Sequence, residues 1–444
     1  MGKLCIGNNE GVPAIITFKR GTYRILVIDY DGTIITQDYL DTGYTFTLPT
    51  PPVHEGLVFE EWSCAFPIVN NQVTVTDSDI IIGPIYSTLS EKSEFDISLN
   101  KITGKIVHFN SDLEKDWGDG TVNTETEHTY SQYGDYTIKC ALTTINGPVI
   151  TEGNAVLTEI RFGSGLTSIN NVGGGSFEGC ISLEAVSFPN TLQAIDNQSF
   201  KDCWCLETLI LPTGLITLGT YTFSACIRLL YVVFSKTLQT IGSGCFDICD
   251  DLKTAILPNS VTFLGEYVFS NNNNLSKIRL STGLVSISDY CFSDCTALES
   301  ISVPESIVTL GQSCFLRCSH LSHLILSHNI TTIKSSAFES CVNIRELRLP
   351  NGLLTLEANV LNGMNSIHKI IFGNSLTSIE TNAFNNLGSC RIYDFTELEA
   401  VPTLAQGVFG WLNPQTKILV PVTLEAQWKA ATNWSEYADY IYGV

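Results

Sequence analysis

The sequence predicts a mostly β protein, in which a solenoid of 23-residue coils is closed by a C-terminal helical cap and preceded by two small β domains. Three observations lead there. Phe177, Phe200, Phe223, Phe246, Phe269, Phe292, Phe315 and Phe338 stand 23 residues apart, and the phase continues through Leu361 to Phe384. Each period carries inward-pointing leucines at fixed spacing, as in LETLILPTGLITLG from Leu206 to Gly219. The composition sets 34 Gly, 22 Phe and 16 Tyr against 2 Met, with Leu, Ile, Ser, Thr and Asn abundant, which favours strands and turns over helices.

Taken in order, residues 1–90 and 91–150 lack the period and read as separate β modules. In the first, YRILVIDY (Tyr23 to Tyr30) supplies a strand, Asp31-Gly32 its hairpin turn, and Trp62 a core aromatic. Its GYTFTLPTPPVHEGLVFEEWS segment resembles the Listeria/Bacteroides repeat, which implies a β-grasp module of surface proteins. In the second, Gly118-Asp119-Gly120 makes a tight hairpin, while Trp117, Tyr130 and Tyr136 point inward. DWGDGT, HTY and YGDYTI together resemble the polycystic-kidney-disease (PKD) β-sandwich.

Residues 151–416 form the solenoid. One coil cannot bury its own core, so roughly ten coils stacked at ~4.8 Å are needed to make the leucine ladders continuous. Such a stack needs covered ends. Residues 417–444 offer a last strand and an amphipathic helix, with Leu424, Trp428, Trp434 and Tyr437 available to cover the final coil. The period F-x-x-C-x-x-L-x-x-L-x-L-P-x-x-L-x-x-I, with the V-P-x-x-x-x-x-x-W-K-x-A-x-x-W ending, resembles the BspA-like leucine-rich repeats of bacterial surface proteins. That resemblance implies a solenoid without catalytic machinery, displayed outside a cell or particle, that binds a protein or glycan.

The residues that could carry chemistry have simpler readings. Cys180, Cys203, Cys226, Cys249, Cys295, Cys318 and Cys341 all fall three residues after the phenylalanine, where other coils place Asn272, Met364 and Leu387. This exchange argues for a packed core slot of reduced thiols rather than metal, redox or disulfide chemistry. His320, His323 and His328 crowd one coil but need not converge, and Asp116 and Asp119 read as turn residues rather than calcium ligands. No catalytic motif occurs, so no catalytic residue, metal or cofactor is assigned.

What remains is surface. Lys+Arg number 24 against Asp+Glu 45, a formal net charge of −21, which argues against nucleic acid and anionic membranes as partners, and no stretch is apolar enough for membrane insertion. Between the inward leucines, two outward ladders run across the coils. Ile210, Tyr231, Val233 and Ile256 form a contiguous apolar stretch followed by Lys277 and Arg279, and these six residues are the expected ligand-binding set. The expected function is a non-enzymatic adhesion or receptor-binding protein for a host or bacterial surface protein or glycan. The alternative is a structural component or decoration of a phage virion, contacting other assembly subunits. The first twenty residues lack a secretory leader, so a bacterial surface, secretion and a virion are all open as locations.

Overall fold

The computed structural model describes residues 3–7, 13–17, 22–54, 57–76, 78–88, 94–102, 106–109, 113–132, 134–141, 144–152 and 157–444. The protein is mostly β, a solenoid of about 23 residues per turn, and among the described residues short helices occur only near the C-terminus. One ladder of three-residue strands begins at Leu157–Arg161 and Ala185–Ser187, continues coil by coil through Thr208–Ile210, and ends at Lys417–Val420. A second runs from Thr144–Asn146 and Ser168–Asn170 to Thr403–Leu404. Paired strands in both are parallel and in register, as in Thr208↔Tyr231 and Thr217↔Thr240, so equivalent residues of successive coils lie over one another.

The inward leucines are where the period puts them. Leu206, Leu209, Leu211, Leu215 and Leu218 are buried, and so are their counterparts in the later coils up to Leu310, except Ile278, which is partly buried. The phenylalanines stack face to face from Phe177 to Phe338, with centroid separations such as 5.4 Å for Phe200–Phe223 and 5.7 Å for Phe269–Phe292.

From Phe200 to Phe384 each bend also contains two left-handed residues, which the sequence reading did not foresee. Gln198, Tyr221, Tyr267, Tyr290 and Ser313 occupy one phase, and Asp202, Ala225, Ile248, Asn271 and Asp294 the other. These conformations let consecutive bends hydrogen-bond across coils, as in Gln198 N to Thr220 O at 2.9 Å, Phe200 N to Thr222 O at 2.9 Å and Asp202 N to Ser224 O at 2.9 Å.

Both ends of the stack are closed. Residues 94–152 share ladder and core with the coils: Glu94–Ile102 pairs antiparallel with Leu157–Arg161, and Thr144–Asn146 starts the second ladder. Trp117, Tyr130 and Ile138 join the same hydrophobic core as Leu157 and Phe177. The Asp116 and Asp119 carboxylates accept the Gly118 and Thr121 amides at 2.9 and 3.0 Å, which is turn chemistry. At the other end, the helix Glu425–Ala430 brings Trp428 against Phe395, and Trp434 donates its indole N–H to Pro402 O at 2.8 Å. The chain then returns as Ile441–Gly443, pairing parallel with Lys417–Val420 and adding a final rung that the sequence did not predict.

Residues 22–88 form a separate small unit. A four-stranded sheet orders Ile34–Asp41, Thr22–Ile28, Ile80–Thr88 and Leu57–Cys64, beside a small sheet of Thr45–Thr47, Gln72–Thr74 and Ile68–Val69. The expected hairpin at Asp31-Gly32 is present, with Gly32 at φ +88°, and Trp62 is buried.

Candidate binding surface

The outward ladder is divided by what lies on it. Ala185, Ser187, Thr208, Ile210, Val233, Thr254 and Ile256 are buried, although they point away from the solenoid core. Ile210, Val233 and Ile256 share instead one core with Ile25, Val27, Phe66, Ile82 and Tyr86 of the N-terminal unit, and Tyr231 packs half-buried at its edge. The expectation that Ile210, Val233 and Ile256 are exposed is therefore corrected. Their apolar stretch is covered, and the cover is the same chain.

The fit between the two surfaces is specific. Gly83 lies directly over Ile210, and a Cβ at Gly83 would stand 2.4 Å from Ile210 Cδ1. Ser63 Oγ donates to Leu211 O at 2.7 Å and Ser187 Oγ to Tyr86 O at 3.1 Å, tying the sheet to the coils in both directions. Thr213 Oγ1 donates to the Glu61 carboxylate, and Tyr30 OH donates to Glu159 Oε1 at 3.1 Å. Burial, reinforced by the negative charge of Glu159, raises the Tyr30 pKa, so this hydroxyl keeps its proton. Lys277 reaches Asp79 at 3.2 Å, and the Arg279 guanidinium lies 4.9 Å from the Phe66 ring centroid. All six residues predicted to bind a ligand thus lie under or beside the N-terminal unit.

Beyond Arg279 the strand face is open. Ser300, Ser302, His323, Ile325, Glu346 and Arg348 are exposed along successive parallel rungs, and Ile325 is 65% exposed. Sequence reasoning placed these residues on the outward ladder but gave them no role, because the apolar stretch at Ile210 outweighed them. The three histidines have separate neighbours: His320 Nδ1 lies 2.6 Å from Thr296 O, His323 Nδ1 2.9 Å from Ser322 Oγ, and His328 Nδ1 3.1 Å from Glu305 Oε1.

The cysteine slot holds more than apolar filler. Cys203 Sγ donates to Phe177 O at 3.4 Å, Cys249 to Phe223 O at 3.3 Å, and Cys295 to Phe269 O at 3.1 Å, each reaching the bend of the preceding coil. Asn272 makes the equivalent bond from Nδ2 to Phe246 O at 2.8 Å. Burial pushes the Cys180, Cys245 and Cys291 thiols up to about 12, far from a reactive thiolate. The fourteen cysteines from Cys64 to Cys390 are free thiols. Among the described residues, no helix is long and apolar enough to cross a membrane.

A family model described as a BspA type leucine-rich repeat region matches residues 152–276 and 264–391, more than half of the chain. The match begins after the two N-terminal β segments, whose resemblances therefore lie outside it. No curated protein matches the chain. Among solved structures, a leucine-rich repeat protein from Bacteroides ovatus is 21% identical, covering 72% of this chain and 98% of its own at a TM-score of 0.40. The pneumococcal vaccine antigen PcpA is 18% identical, covering 68% of this chain and 77% of its own at a TM-score of 0.41. A leucine-rich cell surface protein from Faecalibacterium prausnitzii is 20% identical, covering 66% of this chain and 95% of its own at a TM-score of 0.36. No enzyme family appears among these matches.

Proposed function

The chain belongs to the BspA-type leucine-rich repeat family, and from that premise we propose that it is a non-enzymatic, surface-displayed binding protein that holds a protein partner on the open half of its strand face. The observation that carries this reading is the division of the outward ladder. Its apolar half is already occupied by the N-terminal unit, while the half bearing Ser302, His323, Ile325 and Arg348 is exposed and mixed in polarity. Side chains fixed on hydrogen-bonded rungs lose little entropy on binding, which suits a flat recognition surface. Ile325, exposed among polar neighbours, has the character of a central anchor with a polar rim.

The test is binding of the full chain to a panel of immobilised host and bacterial surface proteins, followed by Ile325→Asp. This substitution touches no inward residue, so the protein stays folded while affinity for the captured partner falls by about 2 kcal/mol. Unchanged affinity, with binding abolished instead by substitutions in residues 22–88, would move the recognition surface to the N-terminal unit.

A further inference from the structure

The seam between the N-terminal unit and the coils is not closed along its whole length. Two cavities open there, one on either side of the Lys277–Asp79 ion pair. The first, about 390 Å³, has Ile256 and Leu280 among its lining, with Tyr23 on one wall and Ser300, Ser302 and Thr282 on the other. The second, about 550 Å³, is bounded by Tyr39, Tyr231, Arg24 and Lys253. Both volumes lie in the range of small-ligand sites, which runs from roughly 300 to 1,000 Å³.

Their chemistry is unlike the rest of the molecule. In a chain with a formal net charge of −21, four cations, Arg24, Lys253, Lys277 and Arg279, line the two cavities, and Asp79 is the one acid among the lining residues. Asp79 is already engaged, by Lys277 Nζ at 3.2 Å and by the Arg24 amide at 2.9 Å. The local field therefore favours an anion. Three tyrosine rings supply flat apolar faces with a polar edge, and the hydroxyls of Ser300, Ser302 and Thr282 supply exchangeable donors and acceptors. The Ser78 hydroxyl lies at the wall of the first cavity with no hydrogen-bond partner among the described residues.

We propose that these paired cavities bind an acidic oligosaccharide, with sugar rings against the tyrosines and carboxylates drawn to the four cations. The site adjoins the open strand face at Ser300 and Ser302 and would be complete only while the N-terminal unit is docked, since each cavity takes walls from both parts.

The experiment is a calorimetric titration of the full chain with sialyllactose and with a hyaluronan tetrasaccharide, using neutral lactose as the control. At least one acidic probe binds about tenfold or more tighter than lactose, and its affinity falls with added salt, as contacts to exposed cations require. Lys253→Glu closes the second cavity to anions and Ser302→Trp fills the first. Neither residue takes part in the docking contacts, so circular dichroism and melting stay unchanged while acidic-sugar affinity drops about tenfold. Ile325→Ala removes the anchor of the protein-binding face without adding charge beside Ser302, so it leaves this titration untouched, and the sugar site and the protein-binding face stand or fall separately. Absence of saturable binding by both acidic probes, equal binding of lactose, or binding unaffected by both cavity substitutions would overturn the proposal.

Discussion

At the scale of the residue, the bend around each phenylalanine imposes two demands on its sequence. One is a left-handed backbone at two positions per coil, which Asn271 and Asp294 accept readily but Ile248, at φ 59°, does not. A β-branched residue in this region costs about 1–2 kcal/mol, and Ile248 is 40% exposed, so its burial offsets the strain only in part. Ile248→Asn is therefore expected to stabilise the protein by about 1 kcal/mol, read as a higher urea midpoint. These positions were not legible in the sequence because Gln, Tyr, Ser and Arg occupy them as well as Asn and Asp, so no residue type flags the conformation. The second is a side chain that fits the cysteine slot, which most coils fill with a donor and Met364 and Leu387 fill without one. Sequence exchange with Asn, Met and Leu suggested packing alone, yet the thiol and Asn272 both donate to the preceding bend.

Buried thiols, in that slot at Cys180 and just before the phenylalanine at Cys245 and Cys291, make stability depend on alkaline pH. In the unfolded chain a thiol titrates near 9, whereas Cys180, Cys245 and Cys291 are held up to about 12 by burial. Above pH 9 the unfolded chain sheds protons that the folded chain keeps, so stability is full below that pH and declines between about 9 and 12. Each buried thiol contributes up to about 1.4 kcal/mol per pH unit. Urea midpoints measured from pH 8 upward should fall, and Cys245→Val with Cys291→Val should flatten the slope. An equal slope in that variant would mean the thiols titrate alike in both states.

At the scale of the element, the caps decide whether the ladders end in protein or in water. The indoles of Trp428 and Trp434 sit 4.5 Å apart over Phe395 and Phe409, and both are fully buried. Trp434→Ala removes that plate and leaves Pro402 O without its donor, a loss of about 3–5 kcal/mol. Thermal melting should show the cost, with aggregation as the uncovered coil offers apolar core and strand edge to neighbours. The cap was legible because Trp428 and Trp434 stand out after the last period. The rung Ile441–Gly443 was not, since IYG carries no pattern of its own and becomes a strand only because Lys417–Val420 presents an unpaired edge. The N-terminal closure was hidden for the same kind of reason. Glu94–Ile102 and Thr144–Asn146 lie outside the period and join the ladders through pairing that no local spacing announces.

At the scale of the whole molecule, the apolar stretch of Ile210, Tyr231, Val233 and Ile256 could be read from sequence as a surface needing a partner. What could not be read was that Ile25, Phe66, Ile82 and Tyr86 meet it, because that contact joins segments more than a hundred residues apart without shared periodicity. At Gly83 a side chain would run directly into Ile210, and Gly83 lies within the strand Ile80–Thr88, where valine suits the backbone. Gly83→Val should therefore leave the N-terminal sheet and the solenoid each intact while forcing them apart, because the buried Ile210 side chain has no room to yield. Small-angle scattering should report a larger radius of gyration, and melting should separate into two transitions. A truncated chain of residues 94–444 keeps both caps but exposes the stripe, so it should self-associate, and replacing Ile210, Val233 and Ile256 together with serine should return it to monomer. By contrast, a chain of residues 157–444 loses Trp117, Tyr130 and Ile138 from the first coil's cover and should aggregate with or without those serines. If residues 94–444 stay monomeric with the stripe intact, or if Gly83→Val leaves the radius of gyration unchanged, then the N-terminal unit is not the partner that this face requires.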